Sequence, residues 1–187
     1  MTTVDAPTLP AGRTSWSGRR RRVTVVALAL IVVAVGWRWA TDLSVLSDYG
    51  NAESGPASIA KPVYVDTAMG PAGHSGATTA ALTIDSVSPR IVENTSSSQV
   101  VLLVCQRNGS NTAVGFQDGQ LSDSCSRLAA LRTPADLTLG FTTAQVIIQV
   151  TAHQPGILHI AGYDVTYHQG LRHGSQHVGV ETTITTP

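Results

Sequence analysis

The sequence predicts an all-β fold, an antiparallel sandwich of about seven strands preceded by one transmembrane helix. Beyond residue 77 the apolar residues recur with a period of two, in short runs separated by Gly, Pro, Asn and Ser. No helical pattern there reaches ten residues, the longest candidate being 126–132. The one long apolar run lies near the start and is flanked by arginines and tryptophans. The chain of 187 residues is 42% hydrophobic and 13% charged, which excludes a wholly disordered chain and leaves room for one domain of about 100–150 residues.

The N-terminal run covers residues 23–40, which as a helix would rise roughly 27 Å, close to a hydrocarbon core of about 30 Å. Arg22 and Arg38 sit at its ends, and Trp37 and Trp39 suit the membrane interface. Arg19, Arg20, Arg21 and Arg22 precede the run and only Arg38 stands close after it, so the positive-inside rule keeps residues 1–22 as a cytoplasmic tail and exports the rest. The same stretch also reads as a cleaved signal peptide ending at Ala34-Val35-Gly36, or as a twin-arginine signal through Arg20-Arg21. All three readings export the distal part, and the two tryptophans favour the uncleaved anchor.

The net charge of zero averages two unlike pieces. Residues 1–40 carry six arginines against Asp5, hence +5, and the remainder is −5. An acidic distal part with six scattered basic residues has no footprint for a phosphate backbone, so nucleic acid is not an expected partner. Eleven arginines to one lysine, with abundant Ala, Val, Thr and Gly, match the composition of a high-GC bacterium.

Residues 41–77 are punctuated every few positions by turn formers and read as an extracytoplasmic linker, with 62–65 able to dock as an edge strand. The β-domain is expected over 78–187. Its strands are expected at 80–87, stopping at Ser88-Pro89, then at 99–105, 136–141, 144–152, 157–167 and 177–185, with another near 113–116. The run 99–105 is continuously apolar, as in a strand buried on both faces. Within 157–167, Leu158 and Ile160 share one parity while Tyr163, Val165 and Tyr167 share the other, so a bulge is expected at Gly162.

Pro155-Gly156, the mid-strand Gly162, the terminal Tyr167 and the Gly-containing loop into a last strand resemble the final hairpin of bacterial immunoglobulin-like modules over about 30 residues. The resemblance implies an immunoglobulin-like sandwich. The tryptophan that an antibody-type domain places between its cysteines is missing, since no Trp occurs after Trp39. Cys105 and Cys125 are the only cysteines, and in an exported domain an even count is read as a disulfide.

Five of the six histidines fall within residues 153–177. With one strand ending at His168 and the next starting near His177, those two imidazoles would face each other across a hairpin mouth, and His173 would fold in from the loop to complete a Zn or Cu site. No His-x-His pair and no acidic partner accompanies the set in sequence.

Other chemistry fails on inventory. A blue-copper site needs a His shortly after its Cys, and neither cysteine has one within ten residues. Gly73-His74-Ser75-Gly76-Ala77 approaches a nucleophile elbow but ends in Ala and lacks its strand and helix. A sortase arrangement fails because Arg107 stands too close to Cys105 and only His74 lies upstream. Asn94-Thr95-Ser96 and Asn108-Gly109-Ser110 match glycosylation acceptors, which mean little in a bacterium, and Asp164 and the pair Arg172-His173 read as solvated positions rather than catalytic ones. The expected function is therefore a single-pass bacterial envelope protein, without catalysis or cofactor, whose partners are the bilayer through 23–40 and an envelope or membrane protein. The alternative is an extracytoplasmic Zn- or Cu-binding domain built on His168, His173 and His177.

Overall fold

The computed structural model describes residues 26, 28–38, 43–49, 51–72, 79–109, 114–119 and 121–187. The chain divides into two compact units, Met1–Trp39 and Ala40–Pro187. In the first, residues 26 and 28–38 are helical and exposed, with Trp37 and Arg38 on the helix. Arg19, Arg20, Arg21, Arg22 and Trp39, and the remaining residues of the expected span 23–40, lie outside the described residues. Among the described residues no helix is long and apolar enough to cross a membrane.

The second unit is all-β. Its strands are β1 (Leu46–Asp48), β2 (Glu53–Pro56), β3 (Pro62–Asp66), β4 (Met69–Pro71), β5 (Ala80–Asn94), β6 (Gln99–Arg107), β7 (Phe116–Asp118), β8 (Cys125–Ala130), β9 (Ala135–Leu139), β10 (Ala144–Thr151), β11 (Gly156–Gln169) and β12 (Arg172–Thr186). The main sheet runs β2-β12-β11-β5-β9-β10-β3-β7, with β6 beside β10 and β8 beside β6, while β1 and β4 pair separately. Pairing is antiparallel except for β12 with β2 and the single contact of β10 with β9 at Ala144 and Leu139.

One core draws on both parts of this sheet. Val63 and Val65 of β3 and Val146, Ile148 and Val150 of β10 join Leu82 and Ile84 of β5, Leu158, Ile160, Tyr163, Val165 and Tyr167 of β11, and Val178 and Ile184 of β12. The opposite parity of β6 and β10 feeds a second cluster of Leu103, Cys105, Val114, Leu121, Cys125 and Ile147. The apolar run 99–105 therefore alternates between two interiors, which is why it shows no polar face. Cys105 and Cys125 are bonded within the second cluster, with Cα atoms 5.3 Å apart.

The phase flip in β11 is present. The β11–β12 register shifts between Ala161 and Tyr163, and Gly162 takes φ +93°, a left-handed conformation that side chains other than hydrogen resist. Leu158, Ile160, Tyr163, Val165 and Tyr167 all reach the core as a result.

Other elements depart from the sequence expectation. The stretch expected as a linker carries four strands, and Leu43, Leu46, Val63, Val65 and Met69 are buried. Residues 62–66 do not form an edge, since β3 lies between β10 and β7. The N-terminal stretch is tied down by polar contacts as well. Tyr167 Oη donates to the Leu43 carbonyl at 2.7 Å and accepts from Val45 N at 3.1 Å. Gln176 Oε1 accepts from Leu46 N at 3.2 Å and its Nε2 donates to Leu46 O at 3.1 Å, standing in for a neighbouring strand. β5 continues through Pro89, which pairs with Tyr163 of β11 beyond Ile84, where β9 leaves the strand. Residues 126–132, the one helical candidate, contribute to strand β8 instead, which β6 holds extended.

Two measurements check this description. Val65→Ala removes two fully buried methyl groups and is expected to cost roughly 2–3 kcal/mol in urea unfolding, where a linker residue would cost nothing. Thiol blocking of the denatured chain without reductant is expected to find no free thiol, and the Cys105→Ser/Cys125→Ser variant to lose about 3 kcal/mol through the freer unfolded chain.

Candidate functional site

Three histidine–carboxylate pairs lie along the β11–β12 ribbon. His159 Nε2 is 2.5 Å from Glu181, its diagonal neighbour on β12, and His177 Nδ1 is 2.9 Å from its cross-strand partner Asp164. His168 Nδ1 is 3.0 Å from both carboxylate oxygens of Asp85 on β5. The bulge at Gly162 explains the first contrast among them. Even-numbered residues point inward before it and outward after it, so Asp164 and His168 are exposed or half-exposed while Leu158 and Ile160 are buried.

His168 and His173 are direct cross-strand partners, with ring centroids 5.4 Å apart. They sit one step back from Gln169 and Arg172, which flank a loop of only Gly170 and Leu171. Gly170 takes φ +61°, the positive φ that the first central residue of a type II′ hairpin turn requires. This turn is tighter than the sequence pattern implies, since β12 begins at Arg172 rather than near His177.

His177 is thereby displaced from the expected triad. It pairs with Asp164 rather than His168, and its Nε2 is 2.7 Å from the Ala161 carbonyl, so both ring nitrogens are engaged. Gly162 makes the room for it, because a Cβ there would stand 2.8 Å from that Nε2.

Asp85 takes the third place. In register, Ile84 opposes Tyr167 and Ser86 opposes Thr166, which leaves Asp85 as the extra residue of a bulge. A bulge re-aims the side chain it carries, and here the carboxylate is turned onto His168. One ligand-type atom each from Asp85, His168 and His173 lies within 4.8 Å of the others, and all three are at least partly exposed. His168 also lines a groove of about 310 Å³ together with Thr83, Asp136, Leu137, Gln169 and Gly170. Asp136 accepts a 2.6 Å hydrogen bond from Thr83 on its wall. Asp85 is not visible as a partner in the sequence because it lies 83 residues before His168; the alternation Leu82, Ile84 fixes its outward side but not the strand beside it.

A second polar cluster is buried. Asp66, at the end of β3, accepts from Ala68 N at 3.1 Å and from the Tyr49 hydroxyl at 3.1 Å, and Gln145 Nε2 donates to that hydroxyl at 3.0 Å. Tyr49 packs on Phe141, with ring centroids 4.5 Å apart. Burial pushes the Asp66 carboxyl up to about 6, the two hydrogen bonds and the Arg107 charge opposing it and Glu53 adding to it. Burial and the adjacent Asp66 charge raise the Tyr49 hydroxyl as well. Nothing in the sequence pattern marks this cluster, whose members come from a turn, a short strand and the buried face of β10. The elbow-like segment 73–77 lies outside the described residues.

No protein-family model matches the chain, and no curated protein matches it significantly.

The Asp66 carboxyl sets a pH dependence of stability. The folded chain keeps this proton up to about 6, whereas the unfolded chain releases it near the ordinary aspartate range. Between those values the folded form binds more protons, so rising pH destabilises it, by on the order of 3 kcal/mol once the window is crossed. The urea midpoint is expected to fall between pH 4 and pH 7 through this group, and Asp66→Asn to flatten that fall. Equal slopes in both proteins would show that Asp66 does not set it.

Proposed function

We propose that this chain is a single-pass bacterial envelope protein. Residues 23–40 cross the cell membrane, residues 1–22 stay in the cytoplasm, and the β-domain is displayed outside as an immunoglobulin-like sandwich that acts by protein or envelope contact. The observation that carries the reading is the pairing of an arginine-led apolar run with a bonded Cys105 and Cys125. Structural disulfides persist in oxidising compartments and are rare in the reducing cytosol, and four arginines before the run favour export of the polypeptide beyond it.

The contact surface best supported is the free edge of β5. From Asp85 to Asn94 this strand has β11 on one side and, among the described residues, no strand on the other. Ile91 and Val92 are exposed on it. Such an edge offers unpaired backbone groups to an added strand, with side chains for specificity.

Fractionation and protease access test the topology together. In intact spheroplasts the β-domain is expected in the membrane fraction, with a tag at residue 1 protected and a tag after residue 187 digested. Recovery as a freely dissolved cytosolic protein with two reduced thiols would overturn the proposal.

A further inference from the structure

We propose that Asp85, His168 and His173 form a binding site for a divalent late transition ion such as Zn²⁺ at the mouth of the β11–β12 hairpin. The geometry is built rather than accidental in two respects. A two-residue turn fixes His168 and His173 opposite each other, and a bulge in β5 brings Asp85 onto the same spot. Of the three histidine–carboxylate pairs on the ribbon, this one has a second imidazole in ring contact, 5.4 Å between centroids.

The donor set suits the ion. Two imidazoles and a carboxylate are the ligands of open zinc sites, whereas Mg²⁺ and Ca²⁺ ask for oxygen alone. With bonds of about 2.0–2.2 Å, tetrahedral zinc holds neighbouring ligand atoms roughly 3.4 Å apart. The three ligand atoms already lie within 4.8 Å, so closure needs a shift of the order of an ångström in side chains that are at least partly exposed. A fourth position remains for water or a small anion, since Asp85 and His173 are exposed and His168 is half-buried. His177 takes no part, its two nitrogens being held by Asp164 and Ala161.

Calorimetry of the full chain in detergent, with zinc chloride alone as the probe, tests this directly. Saturable uptake of one Zn²⁺ per chain is expected, with no comparable heat from Mg²⁺. Asp85→Asn and His173→Gln are expected to weaken uptake at least tenfold, and His177→Gln to leave it unchanged. Because a variant can fail to fold, the unmodified chain is also observed by NMR of its imidazoles, where zinc is expected to shift His168 and His173 and to spare His153 and His177. Absence of saturable uptake would overturn the site, as would unchanged affinity in a His168→Gln/His173→Gln variant. Loss in His177→Gln equal to that in His173→Gln would overturn the ligand assignment. Membrane placement does not enter any of these readouts, so their failure leaves the envelope reading standing and the reverse holds too.

Discussion

The single extra residue at Gly162 decides what β11 presents to each side of the sheet. An uninterrupted strand of period two that buries Leu158 and Ile160 would also bury Asp164 and His168 and would expose Tyr163, Val165 and Tyr167. The bulge avoids that outcome by reversing the parity halfway along. Two tyrosines then enter the core, where Tyr167 fastens Leu43 and Val45, and His168 emerges beside Asp85. Core, N-terminal attachment and polar cluster thus depend on one glycine with a positive φ. Its missing Cβ serves a further end, since the His177 ring occupies that space.

Much of the β-domain is legible because its signals are local. Alternation marks most strands from residue 80 onward, though not β8, the parity break marks the bulge, and the unbroken apolar run 99–105 marks a strand with interiors on both sides. Residues 43–72 mislead as a sequence because the contacts that order them are distant. Val63 and Val65 pair with Val150 and Ile148, over 80 residues away, and a segment rich in Pro, Gly and Ser gives no local sign of such partners. β5 reads as ending at Pro89 for a related reason, because proline breaks a strand only where its N–H is needed.

The candidate site shows the same division. A dense run of histidines is readable, and so is their placement around a hairpin. Which of them meet is not, because a two-residue loop and a longer one place different residues opposite each other: the tight turn pairs His168 with His173 and carries His177 to Asp164. Asp85 requires both a strand neighbour and a bulge to be known. The buried Asp66 cluster lies further still from sequence reading, since Tyr49, Asp66 and Gln145 converge only after β3 and β10 have paired.

The attachment of the first strands to the last one constrains the order in which the molecule can assemble. β2 lies against β12, with Glu53 beside Thr182, and Leu43 is held by Tyr167 across 124 residues of chain. Contacts of such separation close slowly, because the intervening polypeptide must be ordered first. A ribosome or a secretion pore delivers the N-terminal end earliest. β1 and β4 can meet early, but β2 waits without its neighbour until β12 has been released.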